Sequence, residues 1–272
     1  MVCRAGHAAA VEGVWEVELG KATRARIAGT DDDAYREAFD MFLSGTDEKT
    51  TTHAYLRRVV DRLPARRTLL DIGAAQGTTT RYLAPYFERV VCVEPSEPMR
   101  RALARACPRA EVVAEPVGEA RVDARADLAL LSHVLYYIPR AQWAVTTARV
   151  MEWVAPGGVL LVLLQNPDNA CMRMVRHFTG RHFDVRELVR ELAALPPGLV
   201  GRTELDVVPA RYHGRSLEET LMVADFLLSV PEAPSPTREA VEAYVRRHFD
   251  NEDGTYTFRH DQHVLRIERP AP

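Results

Sequence analysis

A chain of 272 residues, 47% hydrophobic and 27% charged, can bury the core of one large domain, and its composition is neither disordered nor fibrous. A net charge of −3 gives no electrostatic reason to expect nucleic acid or an anionic membrane as partner. Cys3, Cys92, Cys107 and Cys171 are scattered without the spacing of a metal site or a disulfide framework, so no metal is expected and buried free thiols are.

Residues 1–30 mix charges without periodicity and read as a partly ordered leader, with Glu12, Glu16 and Glu18 interrupting any signal-peptide core. From 31 to 272 the pattern is that of one domain. Tyr35, Phe39, Phe42 and Leu43 recur at helical spacing after the cap candidates Asp31, Asp32 and Asp33, and Ser44-Gly45-Thr46 breaks that helix. A second helix follows from about Asp47 to Leu63, with His53, Leu56, Val59 and Val60 on one side. Strand one is predicted at 67–72, its helix at 77–86, strand two at 90–94, and a helix from Ser96, a candidate cap, to Ala106. Strand three follows at 111–114. Strand four ends in Ser132-His133, and a helix from Arg140 to Trp153 leads through Ala155-Pro156-Gly157-Gly158 into strand five, 159–165. The aliphatic run there, Val159 to Leu164, is far too short to span a bilayer, and a cytoplasmic protein is expected. Helices at 168–178 and 184–194 precede strand six, 202–212. Helices at 216–228, closed by Pro231, Pro234 and Pro236, and at 237–249 precede the last strand, 256–269. Strands alternating with helices in this way imply an α/β fold built on a parallel sheet with right-handed crossovers.

The densest signal lies at Thr68-Leu69-Leu70-Asp71-Ile72-Gly73-Ala74-Ala75-Gln76-Gly77, completed by Val93-Glu94-Pro95-Ser96. A buried strand enters a glycine turn and a helix, and a second strand ends on an acid seventeen residues beyond Gly77. That is a nucleoside site at the carboxyl edge of a sheet: glycine lets the backbone approach the ligand, and the acid accepts hydrogen bonds from ribose hydroxyls. A dinucleotide fingerprint wants glycine at its first, third and sixth positions, which here hold Gly73, Ala75 and Thr78. Glycine at the first and fifth positions resembles motif I of the class I S-adenosylmethionine-dependent methyltransferases instead, and the turn before strand five resembles that family's Pro-Gly-Gly.

The resemblance implies a Rossmann-like, seven-stranded, mostly parallel sheet with an antiparallel last strand. It also implies an N-terminal helical cover at 31–64 and helical substrate-side elements at 168–200 and 213–250. S-adenosyl-L-methionine would be the donor and S-adenosyl-L-homocysteine the product, with Asp71, Gly73, Ala75, Gln76, Gly77, Glu94, Pro95, Ser96, Met99, Ser132 and His133 about it. Glu119, after strand three, is a candidate adenine contact.

Tyr35 to Leu43, Thr46-Asp47-Glu48, Leu135-Tyr136-Tyr137 and the strand from Phe258 to Glu268 are similar more narrowly to histamine N-methyltransferases. On that likeness Glu48 takes the place of a glutamate that binds the substrate amine. Tyr35, Phe39, Tyr136 and Tyr137 take those of the aromatic walls. His133 and His260 stand where that family has glutamine and asparagine, and as imidazoles either could serve as a base near neutral pH. The implied activity is N-methylation of a small-molecule amine, with the biosynthesis of a natural product as its expected setting, by a monomer or homodimer that binds neither nucleic acid nor membrane. Two rivals share the sequence features: an O-methyltransferase for a hydroxyl or carboxyl acceptor with His133 or His260 as base, and a non-catalytic protein that binds the cofactor or a peptide. Blander readings stand beside these. Glu48 near a helix start suits the helix dipole, tyrosines are more often core than contact, and His263 beside His260 suggests a polar surface strand. Arg173, Arg176 and Arg181 read as a solvated helix face before a carboxylate clamp.

Overall fold

The computed structural model describes residues 33–195, 198–230 and 233–271, with side chains from Glu37 onward. The expected leader, Asp31, Asp32 and Pro231 lie outside them. Two helices come first, α1 (Asp33–Gly45) and α2 (Glu48–Arg62). Then strands and helices alternate: β1 (Thr68–Ile72), α3 (Thr78–Leu83), β2 (Arg89–Val93), α4 (Glu97–Ala106), β3 (Glu111–Val113), β4 (Ala126–Ser132), α5 (Trp143–Trp153) and β5 (Val154–Gln165). The second half holds α6 (Ala170–Thr179), α7 (Val185–Leu192), β6 (Thr203–Val208), β7 (Arg211–Gly214), α8 (Leu217–Leu227), α9 (Arg238–His248), β8 (Tyr256–Arg259) and β9 (Gln262–Glu268).

Seven strands form one sheet in the order β3-β2-β1-β4-β5-β9-β6. The first five run parallel, and β9 is antiparallel to both β5 and β6, as the resemblance implies. Every residue of β1 is buried, the mark of a strand covered on both faces. Alternation sends Leu70 and Ile72 to one layer, with Trp143 and Val150 of α5, and Leu69 to the other, with Leu56, Val59 and Val60 of α2.

Two strands are shorter than the sequence suggests. The expected strand 202–212 breaks after Val208, and 256–269 breaks between Arg259 and Gln262; the outer pieces, β7 and β8, pair with each other in a separate two-stranded sheet. Pro209 has no N–H for the ladder, so the pairing is interrupted there and the ribbon bends. The bend carries His260 inward. His260, between β8 and β9, is 0% exposed and His263, on the interior strand β9, is 5% exposed, not the polar surface expected.

The turn after β1 needs glycine for its backbone. Gly73 and Gly77 have φ of +71° and +83°, and a Cβ on Gly77 would lie 2.7 Å from Leu103 Cδ1. Left-handed backbone costs an L residue about 1–2 kcal/mol. Gly77→Ala should therefore lower the melting temperature by several degrees in a thermal unfolding scan; an unchanged value would mean that the turn relaxes freely.

Candidate active site

Beyond the carboxyl ends of β1, β2, β4 and β5 lies a cavity of about 410 Å³, within the range of small-molecule sites. Phe39, Glu48, Asp71, Gly73, Ala75, Gln76, Glu94, Pro95, Ser96, Met99, Ser132, His133, Tyr136 and Tyr137 line it, all of them residues singled out by the sequence. It has two ends.

At the glycine-turn end, the backbone turns left-handed at Gly73, at Ala75 (φ 47°) and at Gly77. Ala75 is strained there, and its amide is fixed by donating to Glu94 Oε2 at 2.8 Å. The other oxygen, Oε1, accepts the Ser96 amide at 2.9 Å. Ser96 occupies the cap position of α4, but its side chain makes no capping bond to the helix. Gln76 Nε2 reaches Asp40 Oδ1 at 3.5 Å, tying the turn to α1.

Asp71, 3% exposed, accepts the Thr80 hydroxyl at 2.6 Å. Burial pushes its carboxyl from the usual 3.8 up to about 6, against the Thr80 bond, which favours the ionised form. A carboxyl whose pKa is higher folded than unfolded loses stability as pH rises through that window. Asp71→Asn cannot ionise, so its stability should exceed wild type by up to about 3 kcal/mol at neutral pH and match it below the window. Urea unfolding at the two pH values checks this. An equal deficit at both would assign Asp71 a structural role.

The other end is built by α2. Its buried residues Glu48, Thr52, Tyr55, Leu56, Val59 and Val60 follow the i, i+4, i+7 rhythm of one helix face, so Glu48 sits at the mouth of the core-facing stripe. The side chain is 3% exposed. Oε2 accepts from Gln165 Nε2 at 3.3 Å, and Oε1 lies 3.7 Å from both His133 Nε2 and Lys49 Nζ. Burial alone would raise its pKa, but its neighbours, His133 foremost and then His260 and Lys49, outweigh burial and hold the carboxyl well below the usual range. His133 follows β4 with φ +60° and its amide bonded to Leu163 O at 2.9 Å. Burial lowers its pKa, against the pull of Glu48.

Around this carboxylate the wall is aromatic. Phe39 and Phe42 of α1 pack on Phe226 of α8 at 5.6 and 5.5 Å between ring centroids, so two distant segments form one cover. Tyr136 and Tyr137 lie on a single 3₁₀ turn rather than a strand, which lets both border the cavity. Tyr136 packs edge-on to Phe183 at 5.0 Å, and its hydroxyl accepts the Gln165 amide at 2.6 Å.

Several sequence expectations fall elsewhere. His260 does not border the cavity; it is buried behind Glu48, with Nδ1 3.5 Å from Oε2. Gly77 starts α3 and shapes the turn from outside the cavity. Glu119 is exposed after β3, turned away by the Pro116 turn, and Pro95, Ser96 and Met99 border that end instead. Tyr35 lies in α1, with its side chain outside the described residues. Arg173 and Arg176 are exposed on the outer face of α6 beside Arg247 and Tyr244, in a separate cleft. Sequence reasoning missed Lys49, Phe42, Gln165, Phe183 and Phe226. Gln165 could have been found, since it ends β5 at the same sheet edge as Ser132. Phe183, in the loop between α6 and α7, and Phe226 of α8 are far apart in sequence, and no local pattern announces their approach.

A family model described as a methyltransferase domain matches residues 48–220. No curated protein sequence matches the chain. Among solved structures it is similar to a protein from Bacillus halodurans C-125 (TM-score 0.59, 16% identity, 80% of this chain and 99% of that one). The YcgJ protein of Bacillus subtilis gives a TM-score of 0.55 at 13% identity, over 81% of this chain and all of that one (100%). The N-methyltransferase NodS of Bradyrhizobium japonicum WM9, in complex with S-adenosyl-L-homocysteine, gives 0.52 at 19% identity, over 88% and 100%. At these identities the likeness is one of fold.

Proposed function

The chain belongs to the methyltransferase domain family, and we propose that it is an S-adenosylmethionine-dependent N-methyltransferase acting on a small-molecule amine. The observation that carries this reading is Glu48: an ionised carboxylate, 3% exposed, in the wall of a cavity otherwise faced by Phe39, Phe42, Tyr136, Phe183 and Phe226. A buried anion ringed by aromatic faces suits a cation with an apolar body, through charge-assisted hydrogen bonding and cation–π contact. It repels a carboxylate acceptor.

The glycine-turn end fits the donor. Left-handed Gly73 and Ala75 bring backbone close to a ligand, and Glu94 offers carboxylate oxygens toward ribose hydroxyls. Lys49 is the only lysine or arginine among the described residues lining the cavity, and would meet the donor's carboxylate. When bound, the donor supplies an electrophilic methyl on a sulfonium. The chain's own part is alignment: Glu48 orients the acceptor nitrogen, the aromatic cover excludes water, and His133, beside Glu48, is placed to receive the proton that the nitrogen gives up.

The test is release of S-adenosyl-L-homocysteine from the purified protein with a panel of aromatic and aliphatic amines, phenols and carboxylic acids. Turnover with amines alone supports the reading. Turnover with phenols and none with amines would replace it by O-methylation, and calorimetry showing no uptake of donor or product would remove both.

A further inference from the structure

Behind Glu48 the hydrogen bonds have a direction that backbone groups fix from both sides. On one side, Asn169 caps α6: its Oδ1 accepts the Met172 amide at 2.8 Å. Its Nδ2 is therefore the donor to Gln165 Oε1 at 3.3 Å and to the Asp261 carbonyl at 3.1 Å. With Oε1 so used, the amide of Gln165 faces the site with Nε2. It donates to Glu48 Oε2 and to His260 Nδ1, each at 3.3 Å.

On the other side, the Thr46 hydroxyl donates its one hydrogen to the Arg211 carbonyl at 3.1 Å and accepts the Glu48 amide at 3.0 Å. His260 Nε2 lies 2.6 Å from the same oxygen, whose remaining lone pair can take an Nε2–H. The His260 ring is 0% exposed and packed edge-on against Phe42 and Phe258, at 5.1 and 5.9 Å between centroids.

We propose that His260 is a positioning residue: as the neutral, Nε2-protonated tautomer it holds Gln165 against Glu48, so that Oε2 is occupied from behind and Oε1 is presented to a cationic acceptor. This rests on the amine reading above. A proton on Nδ1 undoes the arrangement. Nδ1–H and Gln165 Nε2–H would then be two donors facing each other, Gln165 is displaced, and the imidazolium pairs with Oε2 and cancels the charge that attracts the acceptor. The charged and titratable groups near the ring are Glu48 and Lys49 of α2 and His133 after β4, with Cys171 of α6 beyond Glu48. Asp261, the next residue, is turned away into the bond from Arg259.

Two readouts test this on the full chain. Nitrogen-15 spectra of histidine-labelled protein without ligands, with His260 assigned by comparison with His260→Asn, should show an Nε2–H tautomer at neutral pH. Thr46→Val, which removes the acceptor of that hydrogen, should shift the tautomer balance. An Nδ1–H tautomer or an imidazolium in wild type would overturn the proposal. In kinetics at saturating donor, His260→Asn, which can still accept from Gln165, should keep the acceptor KM within about threefold, and His260→Ala should raise it roughly tenfold with kcat little changed. A KM in His260→Asn as high as that of His260→Ala would equally overturn it. The expected tautomer in a protein that methylates no amine would instead count against the functional reading alone.

Discussion

Glu48→Gln is expected to lower kcat/KM for an amine acceptor by roughly 30- to 5000-fold while leaving the affinity for S-adenosyl-L-homocysteine within about threefold. Losing one partner of a buried, hydrogen-bonded charge pair costs about 2–5 kcal/mol, and the range follows from that. The wild-type carboxyl is buried with Lys49 Nζ 3.7 Å from Oε1 and Gln165 Nε2 donating to Oε2 at 3.3 Å, which favours its ionised form. Gln165 Nε2 already satisfies Oε2, so the amide can keep that bond through its own oxygen. It must then turn an NH₂ toward the acceptor, where an ammonium also brings donors. The donor end should be indifferent, since the turn residues that shape it are held by Glu94. Steady-state kinetics with acceptor varied, beside calorimetry with S-adenosyl-L-homocysteine, decides it. An acceptor kcat/KM within threefold of wild type would mean that Glu48 is a structural acid serving the helix and its histidines.

How much of this was legible before the structure depends on the range of the interaction. The turn from Gly73 to Gly77 and the acid at Glu94 are local: strand, turn, helix and strand tip lie within one βαβ unit, so their spacing carries their geometry. The two cover helices were equally readable. The His260 corner was not. Its burial depends on where a ribbon bends at Pro209, on pairing across the chain between β6 and β9, and on the packing of Phe42 against it from α1. The polar letters around His260 and His263 suggested a surface, whereas His263 is buried on the interior strand β9 and His260 in the bend that leads into it. Nor could the sequence tell that Glu119 faces solvent, because β3 is a three-residue edge strand whose following loop is set by the turn at Pro116. Tyr136 and Tyr137 show a subtler limit: alternation along a strand forbids both from facing one side, and a 3₁₀ turn removes the prohibition.

The second large effect is expected at Glu94, where the substitution that preserves shape should fail as badly as the one that does not. Two backbone amides, Ala75 and Ser96, converge on this side chain, one on each oxygen, at 2.8 and 2.9 Å. A carboxylate supplies two acceptor oxygens and meets both. A glutamine supplies one, so Glu94→Gln aims an NH₂ at a donor, and one buried amide is left unpaired at a cost of about 1–3 kcal/mol. Ala75 is the vulnerable partner, because its left-handed backbone is strained without that bond. Both Glu94→Gln and Glu94→Ala should therefore loosen the turn and remove the acid proposed to bind the donor's ribose. Calorimetry should give affinities for S-adenosyl-L-homocysteine reduced by about 100-fold or more in each, from two or more charge-assisted bonds lost. Melting temperature should fall in both variants. A glutamine variant that binds as wild type does would show that the turn holds its shape without the carboxylate, and the donor site would have to be sought in other residues of the cavity.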